Sequence, residues 1–408
     1  MKFRIYLVCF LSVYTIQTQA QNRGCTDYLA QNFNPNATVN DGSCTYNTSS
    51  VTPFTICQKI SDSLVESSGL IYFNNMFWSI NDSNNPPFLY AFDSISGQIL
   101  HQTYISNAVN NDWEDITHDD QYIYIGDFGN NGGNRKNLQI LKIDKSDLNM
   151  NQFSDSVSVG FIRFNMSDQT NFNNSGQNHN YDMEAICVLD DSLHLFSKNW
   201  VDATTRHYVC PRDTGTYSLD PQETLEVGGL ITGACKGSDS RIVLTGYNKS
   251  NYGSFIVMMW NYKSNRFLSG NRRRVDVGNL ISPGQNEAVC LIESALYMSN
   301  EKKINEAQLH RIETSKWINQ SNLSSVFNPD LKAGIKVLNL SNNEIEIKLS
   351  DLLPGNSFYI YDSSGRLVYS KLNFSESSFR VDTEFWAASM YYLFANNSFI
   401  EKILIRKD

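Results

Sequence analysis

The sequence predicts an all-β protein whose main domain is a β-propeller of five or six blades. One short phrase returns five times: a strand that opens on a polar residue, a turn, and a second strand that ends on a polar residue. Copies recur at roughly fifty to seventy residues, a period typical of propellers and solenoids. The strands are short and rich in Ile, Val, Tyr and Phe, and no helix-length amphipathic stretch separates the copies. Five copies predict five blades, and a sixth stays open if residues 145–180 or 205–228 hide another copy.

The clearest copy begins at Asp112, Trp113, Glu114 and Asp115, and its second strand ends on Gly126-Asp127. The two strands of the five copies lie at 66–72 and 77–82, 112–117 and 122–127, 182–188 and 193–198, 231–235 and 241–247, and 286–291 and 296–301. The strand that starts at Phe54 is expected to close the ring by pairing with the last blade, since circular sheets must hide their edges.

The innermost strand of each propeller blade lines the central channel, so polar residues at the start of the first strands are expected near the axis. These residues are Glu66, Glu114, Glu184, Thr232 and Glu287. The second strands end on Asp82, Asp127, Lys198, Tyr247 and Glu301. The sequence therefore predicts two rings of polar groups at one mouth of the channel.

The acidic members of these rings predict a candidate metal site. Carboxylates this close raise one another's pKa values unless a cation or Lys198 compensates them. Converging carboxylate oxygens suit a hard cation such as calcium. The metal-ligand candidates are Glu66, Asp82, Glu114, Asp127, Glu184, Glu287 and Glu301. Two alternatives stay open: each Glu holds backbone N–H groups of the next blade, or some of them act directly in catalysis, for which no residue is assigned.

Residues 126–135 form a glycine-rich loop between two strands. A phosphate cradle would need a helix after the glycines, so this type of site is excluded. Arg135 is expected to neutralise Asp127. The alternative is that Arg135 and Lys198 bind an anionic ligand.

The ends of the chain predict export. Residues 1–20 have a basic start, an apolar run and a small-residue cleavage site, as expected of a signal peptide, and no other segment is apolar enough to span a bilayer. The net charge of −9 makes nucleic acid and anionic membrane surfaces poor partners. Residues 21–53 form a small module and linker, in which Cys25 and Cys44 are expected to form a disulfide.

This small module carries Gly24-Cys25-Thr26-Asp27 and Asp41-Gly42-Ser43-Cys44, and it resembles a short module of exported Bacteroidetes proteins. Its oxygen-bearing side chains either bind calcium or form Asx turns: Asp27, Asn34, Asn40 and Asp41. Cys187, Cys235 and Cys290 are expected in the core, and the pairing of Cys57 and Cys210 stays open.

The propeller, residues 54–315, resembles uncharacterised exported propellers of the same bacteria and, distantly, the phytase-like and SdiA-regulated propeller families. The residues that support the resemblance are 66–69, 81–82, 112–115, 126–131, 182–185, Lys198 and 287–288. The resemblance implies the fold. It implies no reaction, and no calcium ligand is transferred from those families.

Residues 316–325 read as a linker, and residues 326–408 as a small β-sandwich of alternating strands. Asn328-Pro329, the Asp-x-x-Gly-Arg sequence at 362–366 and the basic ending from Lys402 to Lys407 resemble the C-terminal sorting domain of type IX secretion. The resemblance implies recognition by the type IX machinery, and then release or attachment at the outer cell surface.

Together these observations predict a secreted or cell-surface propeller of undetermined ligand, a binding or structural module with an acidic, calcium-binding channel. The alternative is a calcium-dependent hydrolase that acts on phosphoesters. In that alternative Glu114, Asp127, Glu184 and Glu287 hold calcium, which polarises the phosphoryl oxygen. The sequence does not decide whether the protein is an enzyme.

Overall fold

The computed structural model describes residues 21–278, 283–303, 305–318, 335–341, 343–349, 356–361, 367–374, 377–395 and 398–405. Their regular structure is strands, with three 3-10 helices of three residues each, Lys145–Asp147, Phe267–Ser269 and Ser315–Trp317. The predicted signal peptide, the motifs at 328–329 and 362–366, and residues 319–325 of the predicted linker lie outside the described residues. Among the described residues, no helix is long and apolar enough to cross a membrane.

Five sheets form the propeller. The N-terminal strands are β1 (Arg23–Gly24), β2 (Val39–Asn40), β3 (Ser50–Val51) and β4 (Phe54–Cys57). Blade 1 contains β5 (Ser67–Phe73), β6 (Met76–Asn81), β7 (Phe88–Phe92) and β8 (Ile99–Ile105). Blade 2 contains β9 (Trp113–His118), β10 (Tyr122–Asp127), β11 (Gln139–Asp144) and β13 (Gly160–Met166), with β12 (Ser154–Val157) between the last two in the chain.

The remaining blades repeat this order. Blade 3 contains β14 (Asp182–Leu189), β15 (Ser192–Lys198), β16 (Thr204–Pro211) and β18 (Pro221–Glu226), with β17 (Gly215–Leu219) inserted before β18. Blade 4 contains β19 (Leu230–Lys236), β20 (Ile242–Tyr247), β21 (Ser254–Trp260) and β22 (Asn271–Val277). Blade 5 contains β23 (Asn286–Ile292), β24 (Ala295–Asn300) and β25 (Leu309–Glu313).

The five inner strands close into a ring. β5 packs on β9, β9 on β14, β14 on β19, β19 on β23, and β23 returns to β5. The N-terminal strand β4 pairs antiparallel with β25 and completes blade 5, as the sequence predicted. Residues 145–180 and 205–228 contribute strands to blades 1, 2 and 3, so the described part of the chain contains five blades.

Apolar layers between the blades hold the ring together. Trp78 and Trp113 are fully buried in one continuous cluster shared by blades 1 and 2. The ring of Trp78 stacks on Phe73 with 4.5 Å between centroids. These tryptophans are therefore packing residues, and they leave no aromatic face free for a ligand.

In four of the blades, the outermost strand is covered by a segment that comes from another part of the chain. β12 pairs in parallel with β8 of blade 1, β17 with β13 of blade 2, and β3 with β22 of blade 4. On blade 3 the same place is taken by the turn at Phe267, whose N–H donates to Glu223 of β18 at 2.7 Å. We call these four segments the edge clasps.

The N-terminal module docks on blade 4. Its disulfide joins Cys25 and Cys44, as predicted, and the five other cysteines of the described residues, from Cys57 to Cys290, are free and buried. The four oxygen-bearing residues Asp27, Asn34, Asn40 and Asp41 each accept the N–H two residues ahead, which is the Asx-turn alternative. The ring of Tyr46 lies 5.7 Å from Trp260, and the guanidinium of Arg273 stacks on Tyr46.

The C-terminal segment is a two-sheet β-sandwich, which agrees with the prediction. One sheet contains β26 (Ile335–Ser341), β27 (Glu344–Leu349) and β30 (Ser378–Asp382), and the other contains β28 (Asn356–Tyr361), β29 (Leu367–Phe374), β31 (Ser389–Ala395) and β32 (Ser398–Ile405). Alternate residues such as Ile345, Ile347, Phe358 and Ile360 are buried between the sheets. This alternation follows from the two-residue period of a strand with one face in the core.

Candidate cation site at the mouth of the propeller

A β-bulge recurs in the inner strand of every blade. The residue left unpaired by the register shift is Gly69, Glu114, Glu184, Thr232 or Glu287. A bulge bends the strand and re-aims its side chain. Three blades thereby direct a glutamate to the same mouth, whereas Thr232 donates its hydroxyl to the carbonyl oxygen of Asn286.

A cavity of about 240 Å³ occupies this mouth. Six of the nine predicted metal or ligand residues line it: Asp82, Glu114, Glu184, Lys198, Glu287 and Glu301. The other lining residues are Ser68, Asn131, Gln177, Trp200, Tyr247, Gln285 and Lys303. The cavity therefore contains side chains from all five blades. That these residues bind a metal ion remains a prediction.

The other three predicted residues do not line the cavity. Glu66 lies just before β5, and its carboxylate accepts a hydrogen bond from the Asn85 side chain. It does not face the cavity because the bulge in blade 1 falls at Gly69, three residues later. Asp127 is fully buried and pairs with Arg135, whose Nη2 lies 2.9 Å from Asp127 Oδ1. Arg135 thus neutralises Asp127, as expected. It also donates to the carbonyl oxygen of Gly129 at 2.8 Å, a contact that was not predicted.

Three carboxylates form the tightest acidic group in the described residues. Ligand oxygens of Asp82, Asp112 and Glu114 all lie within 4.8 Å of one another. Gly129 permits this arrangement, because a Cβ atom there would overlap Glu114 Oε1 and lie 2.5 Å from Asp112 Oδ2. We call these three residues the acidic trio.

The other cavity carboxylates have partners of their own. Lys198 Nζ lies 3.1 Å from Glu184 Oε1, and Lys303 Nζ lies 2.6 Å from Glu301 Oε2. Glu287 accepts a hydrogen bond from the Gln285 amide. In the acidic trio, Asp82 accepts the Ser83 N–H, and the nearest cation to Asp112 is Arg135 Nη1 at 3.9 Å. Negative charge is therefore least compensated at blades 1 and 2.

The pKa values of the cavity acids are raised. Burial, followed by the neighbouring carboxylates, raises the pKa of Asp82 to about 6 and the pKa values of Asp112 and Glu287 to about 7. Burial also raises the pKa of Glu114 and of Glu184 well above the ordinary range. Removing water disfavours the charged form of a carboxyl, and each negative neighbour adds to this cost.

Lys198 is affected in the opposite direction. Burial alone would lower its pKa, but Glu184, Tyr247 and Glu287 outweigh burial and raise it well above the ordinary value. Lys198 is therefore a fixed ammonium group at the floor of the cavity. Its Nζ is paired with Glu184, and its charge offsets only part of the rise in the pKa values of Asp82 and Glu114.

Glu114 and Glu184 lie within hydrogen-bonding reach of each other. Two carboxylates can share such a contact only when a proton or a cation lies between them. Glu114 is 6% exposed and lines the cavity. This side chain is thus buried, and its closest polar contact of this kind is a second carboxyl group.

Asp115 accepts backbone N–H groups of other blades, which is the structural role that the sequence left open for the glutamates. Its Oδ2 accepts the N–H groups of Ile186 and Ala234, each at 2.9 Å, and its Oδ1 accepts the N–H of Ile116 at 2.8 Å. The carboxylate is fully buried and joins the inner strands of blades 2, 3 and 4. It stabilises the ring directly beside the acidic trio.

Several residues of the site were not predicted from the sequence. Asp112 is the first residue of the clearest copy of the repeat, and that position could have predicted its place at the channel mouth. Asn131 and Gln177 come from the glycine-rich loop and from the polar insertion before blade 3. The loop and the insertion meet through Ser175 N–H and the Gly132 carbonyl oxygen at 3.0 Å, a contact that no repeat pattern encodes.

Comparisons with known proteins add little to this site. No family model and no curated protein matches the chain. A glycosyl hydrolase from Bacteroides ovatus is 10% identical with a TM-score of 0.37, covering 64% of this chain and 90% of its own. An exo-β-1,3-galactanase from Phanerochaete chrysosporium is 9% identical with a TM-score of 0.38, covering 90% and 97%. A gluconolactonase from Xanthomonas campestris is 10% identical with a TM-score of 0.31, covering 64% and 88%. At these values the three proteins transfer no activity to this chain.

Proposed function

We propose that this protein is an exported propeller that binds a calcium ion at its acidic trio and uses the loaded mouth to bind an extracellular ligand. The observation that carries the proposal is the convergence of Asp82, Asp112 and Glu114, whose ligand oxygens lie within 4.8 Å of one another. Each of the other acidic groups in the cavity has a lysine or an amide beside it, as described above. The acidic trio is where an added cation relieves the most repulsion.

The donor atoms favour calcium over other metals. None of the thirteen residues that line the cavity carries an imidazole or a thiol. Zinc and copper would therefore find none of their preferred ligands. Calcium takes about six to eight oxygen ligands in a flexible geometry. Three carboxylates, a neighbouring amide and water would supply oxygens of this kind. Asn131 supplies an amide oxygen at the same mouth.

Export is part of the proposal. The signal-peptide pattern at residues 1–20 and the sorting-domain resemblance at 326–408 support it. The Cys25–Cys44 disulfide also supports it, because such bonds persist in oxidising compartments.

The phosphoester alternative receives less support. It requires Arg135 and Lys198 to bind an anion, and both side chains are committed to carboxylates of the protein. Asp127, one of its four calcium ligands, is buried, does not line the cavity and accepts hydrogen bonds from Asn111 and Gln139.

Calcium titration calorimetry of the purified, chelator-treated protein tests the proposal. We expect saturable binding of one ion per chain. The Asp112→Asn, Glu114→Gln double variant should bind at least ten-fold more weakly, because it removes two of three anionic ligands. Asp191→Asn is the matched control, since Asp191 is 97% exposed and its ion pair with Arg212 lies on the surface.

Thermal melts in chelator should show that both variants remain folded. Absence of calcium binding by the folded native protein would overturn the proposal. Equal affinity in the native protein and the double variant would place the ion elsewhere and would also overturn it.

A further inference from the structure

We infer that the loaded mouth takes a neutral, hydroxyl-rich ligand, a saccharide or similar polyol. The inference rests on the proposed calcium site and names the class of ligand that the same cavity would bind. It follows from the balance of hydrogen-bond donors, acceptors and charge in the lining.

The lining is rich in acceptors and lacks aliphatic side chains. Five of its thirteen residues are Asp or Glu, and no Leu, Ile, Val, Ala or Met takes part. An ionised carboxylate only accepts hydrogen bonds. A ligand that displaces water from this cavity must therefore bring donors, or it leaves buried acceptors without partners, which costs about 1–3 kcal/mol each.

The ammonium groups of the cavity do not select an anion. Lys198 is paired with Glu184, and Lys303 is paired with Glu301 and donates to Gln285 Oε1 at 3.1 Å. With Asp112 included, six carboxyl groups face two ammonium groups. A bound calcium ion favours their ionised forms, and with all six ionised the loaded cavity carries two negative charges. A phosphate, sulfate or carboxylate ligand would meet net repulsion and would bring no donors.

A cationic ligand is disfavoured for a different reason. An ammonium group has donors but no lone pair, so it cannot coordinate the calcium ion. A hydroxyl group has one donor and two lone pairs. Adjacent hydroxyls can therefore coordinate the ion at blades 1 and 2 while they donate to Glu287 and Glu301 on blade 5.

Recognition by hydroxyls also agrees with the state of the aromatic residues. Trp200 and Tyr247 line the cavity but are each 5% exposed. The Lys198 ammonium lies 4.9 Å from the Trp200 ring centre and 5.6 Å from that of Tyr247. Their faces are covered, so stacking against a sugar ring does not carry the binding. The exposed amide of Gln177 instead reaches the rim from the polar insertion.

A glycan array that carries neutral, sulfated, uronic and amino-sugar glycans tests this inference with the full-length protein. We expect binding to neutral glycans in calcium and loss of that binding in EDTA. Glu301→Gln should weaken glycan binding about ten-fold, because a neutral amide replaces a charged acceptor. Its calcium affinity should fall less than that of the Asp112→Asn, Glu114→Gln double variant, because Glu301 lies outside the acidic trio and is already paired with Lys303. Gln177→Ala, in an exposed loop that tolerates truncation, should weaken glycan binding with unchanged calcium affinity and unchanged thermal stability.

The outcomes separate the inference from the proposed function. Calcium binding in calorimetry with no neutral glycan retained on the array overturns the polyol inference alone. A preference for sulfated or uronic glycans, or neutral binding that persists in EDTA, also overturns it. Absence of calcium binding overturns the proposed function itself. If both variants bind glycans like the native protein, the ligand lies outside this cavity and the inference fails.

Discussion

Asp115 gives the sharpest test of how the ring is held together. Its carboxylate is fully buried and accepts three backbone N–H groups, from Ile116, Ile186 and Ala234, at 2.8 to 2.9 Å. Replacing Asp115 by Ala leaves all three donors buried and without an acceptor. At about 1–3 kcal/mol for each orphaned group, the loss is roughly 3–9 kcal/mol.

The expected loss lies in the lower part of that range. Burial raises the pKa of Asp115 well above its ordinary value, so its own desolvation already costs stability in the native protein. Ala removes that cost together with the three hydrogen bonds. We therefore expect Asp115→Ala to lower the free energy of unfolding by about 3–5 kcal/mol, a large part of the about 5–15 kcal/mol typical of a domain.

Asp115→Asn should fall between Ala and the native protein. The amide oxygen can take the place of Oδ2, which serves both Ile186 and Ala234. The amide nitrogen then faces the N–H of Ile116, and one donor is lost at about 1–3 kcal/mol.

The assay is urea unfolding followed by tryptophan fluorescence. It reports chiefly on the propeller, because five of the six tryptophans precede residue 319. Asp93→Ala is the control, since the Asp93 carboxylate accepts two backbone N–H groups in an exposed turn and should cost less than about 1 kcal/mol. A loss below about 1 kcal/mol for Asp115→Ala, or a larger loss for Asn than for Ala, would refute the reasoning.

Two further predictions concern the cavity. The raised pKa values of Asp82 and Glu287 make the folded chain hold more protons at these two sites than the unfolded chain holds, so they should lower the stability of the calcium-free protein as the pH rises from about 4 to 7. Four buried histidines with lowered pKa values act in the opposite direction, so the native protein is compared with the Asp82→Asn, Glu287→Gln double variant. Melts in EDTA in which the native protein does not lose stability relative to that variant across this window would contradict the prediction. Gly129→Ala should reduce calcium affinity at least ten-fold with the fold intact, because its Cβ overlaps Glu114 Oε1. Gly253→Ala is the calorimetric control, because Gly253 has no positive φ and the nearest atom to its added Cβ is the side-chain oxygen of Asn251 at 3.2 Å.

The sequence predicted the propeller well because its repeat reflects a repeated physical unit. Each phrase contained an inner strand, a turn and a second strand, and the polar residues at the strand ends marked the channel mouth. Asp82, Glu114, Glu184, Lys198, Glu287 and Glu301 all line the cavity. The predicted N-terminal closure, the Cys25–Cys44 disulfide and the C-terminal sandwich are confirmed as well.

The remaining parts depended on information that a linear pattern does not carry. Glu66 aligned by type with Glu114, but the bulge of blade 1 falls at Gly69, whose positive φ places the register shift there. Asp115 was next to a predicted residue, yet its role depends on N–H groups about 70 and 120 residues away in the chain. Contacts between blades, and not within a phrase, decided both positions.

The edge clasps bear on how a ligand can reach the cavity. A segment from outside each of blades 1 to 4 lies along that blade's outer edge, and β4 completes blade 5. Moving one blade outward would therefore break the edge pairing of its neighbour as well as its own packing. The ring behaves as a fixed aperture whose diameter is set by the number of blades. Adjustment to a ligand is left to side chains and to the loops at the rim, so the loss of freedom on binding is small.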